Sequence, residues 1–202
     1  MLDSRVVPLL KPVLRRLASR LNAAGIGADE VSVGGFFIGV LAVVALATGH
    51  FFIALVLLFF NRLADGVDGE IARLNGSTEA GAFLDIVLDF IFYAIFPLGF
   101  ALYDPSANAL AAAALVASFV GTGASFLAFD TFARNRKIDH PDFGYKSFYY
   151  INGLAEGTET IMAFVLMCLL PQHFSVIALV FTIVCVITAI NRVVFSYVTL
   201  RR

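Results

Sequence analysis

The chain has 202 residues, of which 60% are hydrophobic and 14% are charged, and its mean hydropathy is +0.89. An average soluble domain is about half apolar and about a quarter charged, and a water-soluble protein of this size could not bury so much apolar surface in one core. The composition therefore indicates a polytopic membrane protein. It argues against a soluble domain, a disordered chain and a protein that binds nucleic acid through a basic surface.

The first 24 residues have the pattern of an amphipathic helix. Leucines and a valine recur at intervals of three and four residues beside a stripe of arginines, which is the period of one helix face. We expect helix 1–24 to lie in the interface of an anionic membrane leaflet. The alternative is an ordinary amphipathic helix that packs on the spans. The apolar stripe consists of Leu10, Val13, Leu14, Leu17 and Leu21.

The rest of the chain, 31–202, is predicted to form one membrane domain. About six stretches are nearly free of charge and have about the twenty residues that cross ~30 Å of hydrocarbon. The predicted fold is thus an all-α membrane protein with six transmembrane helices that follow the N-terminal interfacial helix. The predicted spans are 31–49, 50–74, 79–103, 107–133, 147–170 and 173–199.

The basic residues give the orientation. All 14 lysines and arginines precede the first span, flank the connections after the second and fourth spans, or lie near the end of the chain. Connections on the cytosolic side of a membrane carry the excess of Lys and Arg. Both termini, and every connection that carries these charges, are therefore predicted to lie in the cytosol.

Acidic residues interrupt the second and third spans in an ordered way. Asp65 and Asp68 lie three residues apart on one helix, and Gly81, Asp85 and Asp89 recur every four residues on the next. Such spacings place side chains on one face of a helix. A short connection makes the two helices antiparallel neighbours, so the four carboxylates are expected to converge on the cytosolic side.

Four converging carboxylates repel one another unless cations neutralise them. Mg²⁺ and Mn²⁺ prefer oxygen ligands, and two such ions can bridge carboxylates and hold a phosphate. Small residues beside the acids, such as Gly69, would let a ligand approach the backbone, and Arg73 can contact a phosphate through two N–H groups. The spacing itself thus predicts a metal-dependent phosphate site at a membrane surface.

The same residues resemble the signature of a known family. Residues 65–73 read DGVDGEIAR, and Gly81, Asp85 and Asp89 follow after a spacer of seven. This string is similar to the motif D-x-x-D-G-x-x-A-R, a spacer, and G-x-x-x-D-x-x-x-D of the CDP-alcohol phosphatidyltransferases. The chain lacks the Pro-Asn-x-x-Thr that many phosphatidylglycerophosphate-synthase-like members carry before the first span, and it looks closer to other bacterial members.

The resemblance implies an enzyme that moves a phosphatidyl group from CDP-diacylglycerol to an alcohol acceptor and releases CMP. It implies that Asp65, Asp68, Asp85 and Asp89 hold two Mg²⁺ or Mn²⁺ ions and that Asp89 is also the catalytic base. It further implies a multi-pass protein of the bacterial inner membrane, with its active site facing the cytosol, that forms a homodimer among membrane lipids. The residues expected to contact the CDP moiety are Asp65, Gly69, Ala72, Arg73 and Gly81.

Acceptor recognition is expected from the remaining polar residues on the cytosolic side. The basic residues fit an anionic acceptor, but the positive-inside rule alone also explains those in the connection. The two glutamates of the fifth span either pair with the arginine of the sixth span or contact the acceptor, and they leave a neutral acceptor open. The candidates are Arg134, Lys137, Lys146, Glu156, Glu159 and Arg192.

Several readings stay open from the sequence. Glu70 and Glu79 lie outside the carboxylate stripes and are expected on the solvated surface, whereas Arg62 either reaches for the interface or binds phosphate. The G-x-x-x-G pairs, such as Gly35 and Gly39, indicate close helix packing and are candidate dimer faces. The competing functions are a divalent-cation transporter that uses the carboxylates, and a catalytically idle member of the family.

Overall fold

The regular structure of the described residues is entirely helical. The structure is a computed structural model that describes residues 3–135 and 154–201. A 3₁₀ turn at Pro171–His173 connects the last two helices. The α-helices are α1 (Asp3–Ala23), α2 (Ala28–Ala47), α3 (Phe51–Asn75), α4 (Glu79–Tyr103), α5 (Pro105–Asn135), α6 (Gly157–Leu169) and α7 (Phe174–Arg201).

Four segments are long and apolar enough to cross a membrane. They are Ala28–Ala47, Glu79–Tyr103, Pro105–Ala133 and Pro171–Arg201. Helix α3 has 25 residues and is about 37 Å long, but its second half carries five charges between Arg62 and Arg73. Helix α6 has 13 residues. The all-helical membrane fold is thus supported, whereas the count of six spans and the cytosolic termini stay predictions.

The predicted fifth span is wrong in its first part. Residues 154–156 are not helical, and α6 begins only at Gly157. Glu156 has an extended backbone (φ −118°, ψ −173°) and caps the helix, because its carbonyl accepts hydrogen bonds from the Thr160 amide and hydroxyl. The amide of Ala155 donates instead to the Thr188 hydroxyl on α7. Residues 147–153 of the predicted span lie outside the described residues.

Phenylalanines fill the interior of the helical bundle. The rings of Phe96 and Phe164 stack at 4.3 Å between centroids, and those of Phe100 and Phe174 at 4.4 Å. Each of these side chains is fully buried. Offset and edge-to-face ring pairs add to the free energy that burial of the rings already supplies. We call this cluster the aromatic core; it consists of Phe92, Phe96, Phe100, Phe164 and Phe174.

Glycines in α2 allow its close approach to α3 and α4. A Cβ on Gly35 would lie 2.7 Å from the Cβ of Ala64, and one on Gly39 would lie 2.6 Å from the ring of Phe92. Both are closer than carbon atoms can pack, so the Gly35 and Gly39 pair serves helix packing within the chain. This pair is therefore not available as a dimer face.

Helix α1 packs against the second half of α3. Ala18 is fully buried against Val67 and Ile71, with Leu14 and Leu17 beside them. The predicted amphipathic helix is present, and its apolar face packs on the bundle as the alternative reading expected. The arginines of the opposite face, Arg15, Arg16 and Arg20, are exposed.

Short hydrogen bonds stabilise the connection between the C-terminal end of α4 and the start of α5. Asp104 accepts hydrogen bonds from the Ser106 hydroxyl at 2.7 Å and from the Ala107 amide at 3.1 Å. These two bonds lower the pKa of Asp104, because they favour the ionised carboxylate. Asp104 thus caps α5, whose first residue is Pro105, and the helix begins two residues earlier than predicted.

Candidate active site

Four carboxylates meet where the second half of α3 lies beside the first half of α4. Asp65 and Asp68 on α3 and Asp85 and Asp89 on α4 all line one cavity of about 20 Å³. This volume holds about one water-sized sphere. The spacings of three residues on α3 and four on α4 put these side chains on facing stripes of antiparallel helices. We call this region, together with Arg62, the carboxylate end.

Arg62 lies between the carboxylates and the aromatic core. Its guanidinium donates to Oδ1 of Asp89 at 2.9 Å, and it lies 3.7 Å from Oδ1 of Asp65. It also donates to the Tyr93 hydroxyl at 3.2 Å and stands 4.9 Å from the centre of the Phe92 ring. The Arg62 side chain therefore does not extend to the membrane interface, and its donors bind protein groups rather than being directed toward a phosphate. One signal of this role is visible in the sequence, namely a charged residue one helical turn before Asp65.

Ser32 on α2 and Asn61 on α3 are two further side chains that sequence reasoning missed as parts of the site. The Ser32 hydroxyl donates to Oδ2 of Asp68 at 2.6 Å. Asn61 is buried; its amide donates to the Gly35 carbonyl at 2.8 Å, and its oxygen accepts from Nε of Arg62. These bonds fix Asp68 and Arg62 from the side of α2.

The carboxylate end opens into a large groove of about 1290 Å³. Its polar part contains the four aspartates together with Arg62, Lys11, Glu70 and Arg73. Its apolar part is formed by α6 and α7. One groove thus joins a highly charged end to a long apolar wall. The aliphatic and aromatic residues of that wall are Ile161, Met162, Val165, Leu166, Leu169, Val176, Ile177, Val180, Phe181 and Val184.

The predicted CDP contacts do not all face the groove. Gly69 lines it, and a Cβ placed on Gly69 would have no heavy atom within 4 Å, so the space beside it is open. The space over Gly81 is instead filled by the Asp29 carboxylate and the Thr78 hydroxyl, 2.9 and 3.1 Å from a Cβ placed there. Ala72 is half-buried and is not among the described residues that line the groove.

Glu70 departs from its expected place on the surface. Its side chain is only 6% exposed and forms an ion pair with Arg73, whose side chain is 64% exposed. Both residues line the groove. A buried acid beside the predicted phosphate contact means that Arg73 already has an anionic partner in this structure. Glu79 is exposed, as expected.

The structure tests the acceptor candidates only in part. Lys137 and Lys146 lie outside the described residues, and Arg134 lies near the end of α5. Arg192 donates to the Thr122 carbonyl at 3.3 Å and stands 5.6 Å from the Phe126 ring, so it joins α7 to α5. These contacts favour the structural reading of Arg192.

The two glutamates of the predicted fifth span also lie away from the groove lining. Glu156 is close enough to Arg192 to interact with it electrostatically, which favours their pairing. Neither Glu156 nor Glu159 is among the described residues that line the groove, whereas their neighbours Gly157 and Thr158 are. Thr158 is thus a polar groove residue that sequence reasoning missed.

The donors of the carboxylate end suit divalent cations in their chemistry. Four carboxylates around one small cavity are the hard oxygen ligands that Mg²⁺ and Mn²⁺ prefer. Within residues 3–135 and 154–201, however, no three acidic, histidine or cysteine side chains are close enough together to hold an ion as they stand. Binding of an ion would therefore require some of the carboxylates to turn toward one another.

Comparison with known proteins assigns the family. Residues 27–190 match the family model of the CDP-alcohol phosphatidyltransferases, and the chain belongs to this family. "Inner membrane protein YnjF" of Escherichia coli (strain K12) is 49% identical over 201 residues, which cover 100% of this chain and 98% of that protein. "Archaetidylinositol phosphate synthase" of Pyrococcus horikoshii is 30% identical over 87 residues, 43% of this chain and 46% of that protein.

A solved structure supports the fold. The crystal structure of Mycobacterium tuberculosis phosphatidylinositol phosphate synthase (PgsA1) with CDP-DAG bound superposes with a TM-score of 0.68 over 92% of this chain and 94% of that one. The two sequences are 19% identical, so the likeness concerns the fold. The predicted family is confirmed by the family model, and with it the prediction of a transferase. Membership in an enzyme family disfavours the cation-transporter alternative.

Proposed function

We propose that this protein transfers the phosphatidyl group of CDP-diacylglycerol to a small polar alcohol and releases CMP, as a step of phospholipid synthesis. The observation that carries the proposal is the continuity of the groove. Its charged end suits a diphosphate with its counter-ions, and its apolar wall on α6 and α7 suits two acyl chains. A water-soluble substrate has no acyl chains that could contact this apolar wall.

The names of similar proteins support the donor but not one acceptor. The mycobacterial structure holds CDP-DAG, and that enzyme and the archaeal relative are named as synthases of inositol-phosphate lipids. The full-length relative from Escherichia coli is named as an inner membrane protein. That name supports a multi-pass protein of the bacterial inner membrane, and the positions of the lysines and arginines support termini and a carboxylate end in the cytosol.

The four aspartates would hold two Mg²⁺ or Mn²⁺ ions, which when bound would offset the negative charge of the diphosphate and of the leaving CMP. The acceptor oxygen forms a bond to the phosphorus that carries diacylglycerol. The bond from that phosphorus to the CMP oxygen breaks, and the hydroxyl proton passes to Asp89. Gly69 and Arg73 border the CDP moiety at the open side of the groove, with Ala72 behind them.

The enzyme is proposed to act as a homodimer. Since Gly35 and Gly39 are used for packing within the chain, the dimer requires another face. Its lipid-facing helices carry many exposed apolar residues, such as Leu102 and Leu110 on α4 and α5. These are available for contact with membrane lipids or with a second copy.

The direct test is CMP release by the purified protein in detergent micelles that contain CDP-diacylglycerol and Mg²⁺. The acceptor panel is glycerol phosphate, inositol phosphate, inositol, serine and choline, and the lipid product is identified by mass. We expect CMP and one new phospholipid with one member of the panel. Asp65→Asn should abolish both products, because it removes a carboxylate from the cavity.

Glu79→Gln is the matched control for this test. It makes the same acid-to-amide change at the start of α4, where the side chain is exposed, and it should leave CMP release unchanged. Binding of CDP-diacylglycerol without any release of CMP across the panel would support the idle family member instead. Full activity of Asp65→Asn would contradict the proposed reaction site.

A further inference from the structure

The Arg62 side chain is fixed by several protein groups. Three of its N–H groups are directed to three different acceptors: Oδ1 of Asn61 at 2.8 Å, the hydroxyl of Tyr93 at 3.2 Å and Oδ1 of Asp89 at 2.9 Å. Its guanidinium also lies over the rings of Phe92 and Tyr93, at 4.9 and 5.4 Å from their centres. The side chain is 16% exposed. This burial fixes both the place of the positive charge and its orientation.

We infer that Arg62 is a positioning residue of the proposed reaction, which occupies one oxygen of Asp89 and keeps a fixed positive charge beneath the four carboxylates. The inference rests on the proposed function. It goes beyond the family signature, because Arg62 precedes the first residue of that signature, Asp65, by three positions.

Arg62 restricts the orientation of the Asp89 carboxylate. Asp89 is the proposed base, and one of its oxygens, Oδ1, is committed to Arg62. Rotation of the Asp89 carboxylate would break this bond, so its other oxygen is held in one direction. Asn61 is itself fixed by its bond to the Gly35 carbonyl, and so the support of Asp89 extends through Arg62 to α2. A lysine could not replace this arrangement, because an ammonium lacks the planar fork of donors.

Arg62 also changes the net charge of the site. Four ionised carboxylates would cancel the charge of two divalent ions completely. With Arg62 beside them, the same loaded site keeps one net positive charge, which favours the negative diphosphate of the lipid donor. In the absence of ions and donor, the same arginine offsets part of the repulsion between Asp65 and Asp89. Arg62 is therefore expected to weaken the binding of free cations and to strengthen the binding of the donor.

This opposition gives a test that a merely structural residue would fail. Binding of Mn²⁺ to the full-length protein in micelles without nucleotide is measured by electron paramagnetic resonance, and CMP release is measured in the acceptor assay. Arg62→Gln should bind Mn²⁺ about fivefold more tightly, since a positive charge 3.7 Å from Asp65 and 2.9 Å from Asp89 is removed. Its CMP release should fall by about a hundredfold, with weaker binding of CDP-diacylglycerol.

Arg62→Lys separates charge from geometry. It keeps the positive charge, so its Mn²⁺ affinity should stay within about twofold of the unchanged protein. It loses the fork of donors, so its CMP release should fall by about tenfold. Tyr93→Phe removes a single hydroxyl acceptor and should lower CMP release by a few-fold with unchanged Mn²⁺ affinity. These two variants test the inference even if Arg62→Gln does not fold.

Asn108→Ala is the control for lost stability. Asn108 is a buried polar residue at the other end of the bundle that donates to the Phe100 carbonyl, and its loss should leave Mn²⁺ affinity and CMP release per folded molecule unchanged.

Unchanged or weaker Mn²⁺ binding by Arg62→Gln would overturn the inference, as would full CMP release by Arg62→Lys. The Mn²⁺ titration needs no acceptor, so absence of CMP release from the unchanged protein would contradict the proposed function separately.

Discussion

The carboxylate end and the aromatic core are adjacent along α4, where Phe92 follows Asp89 by three residues, and they are stabilised in opposite ways. In the aromatic core, stacked rings such as Phe96 and Phe164 leave no exposed surface. In the carboxylate end, Asp65 and Asp89 retain side-chain exposures of 36% and 29% and are held near each other by one arginine. Only the first of these regions is stabilised by close packing of apolar side chains.

The difference indicates that the aromatic core supplies the stability that offsets the repulsion between the carboxylates. Like charges placed side by side destabilise a fold, and one ion pair offsets only part of this cost. Because lipid tails are as apolar as this core, its stability comes from close packing and ring contacts, and each aromatic pair contributes about 0.5–1.5 kcal/mol. Variants in the core should therefore act on stability, whereas variants in the carboxylate end should act on function.

The largest expected effect is that of Phe96→Ala. This change removes a ring that stacks on Phe164 and contacts Phe92 and Phe100, and large-to-small changes of buried aromatics cost about 3–5 kcal/mol. Thermal unfolding in micelles should show a large drop in stability. Leu110→Ala is the control, because Leu110 is 83% exposed and its loss leaves no cavity. Equal losses for the two variants would contradict the central place given to the aromatic core.

The next effect concerns the boundary between the two regions. Gly39→Ala would place a methyl group 2.6 Å from the buried ring of Phe92 and 3.0 Å from the amide of Asn61, and such overpacking costs about 1–3 kcal/mol. Because Phe92 and Asn61 both contact Arg62, CMP release per folded molecule should also fall. Gly34→Ala, in the same helix, meets no heavy atom within 4 Å and should be neutral or stabilising. An inert Gly39→Ala would mean that α2 can move away from α4 at little cost.

How much of this could be read from the sequence differs between the two regions. Charge inside a span and spacings of three and four residues predicted that Asp65, Asp68, Asp85 and Asp89 converge, because they depend only on helix geometry. The stacked ring pairs of the aromatic core, Phe96 with Phe164 and Phe100 with Phe174, join distant segments, and periodicity alone does not select them. The family signature then added the reaction, which no pattern of spacing contains.

Arg62 and Glu70 show why the rest could not be predicted. The direction of a long side chain depends on what the neighbouring helix offers, and for Arg62 this is Asp89 and Tyr93, 27 and 31 residues away. The burial of Glu70 likewise depends on segments that cover its helix. The start of α6 at Gly157 was missed because apolar composition does not mark the turn that precedes it.

A third prediction compares two glycines within the motif. Gly69→Ala adds a methyl group to the open space of the groove. It should weaken binding of CDP-diacylglycerol by about tenfold, or about 1.4 kcal/mol. Its unfolding free energy should rise by up to ~1 kcal/mol, because alanine favours a helix more than glycine does. Isothermal titration and thermal unfolding measure the two effects.

Gly66→Ala is the matched counterpart of this variant. A Cβ on Gly66 would lie 2.9 Å from a methyl carbon of Leu14, so the Leu14 side chain must turn out of its packing on α3, and stability should fall. The two glycines are three residues apart, yet their effects should have opposite signs on stability. Unchanged binding of CDP-diacylglycerol by Gly69→Ala would show that the lipid donor does not approach α3 at this position.

The smallest effect concerns the attachment of α1 to the end of α3. Asn22 and Asn75 exchange two side-chain hydrogen bonds of 3.0 and 2.8 Å, which tie α1 to the last residue of α3. Because both side chains reach solvent, water replaces most of what is lost, and each alanine variant should cost under ~1 kcal/mol. In a double-mutant cycle by thermal unfolding, the two losses should not add, since either change breaks both bonds. Ser19→Ala, on the exposed face of α1, is the control. Strictly additive losses would show that the apolar contacts of Ala18 with Val67 and Ile71 alone hold α1 over the carboxylate end.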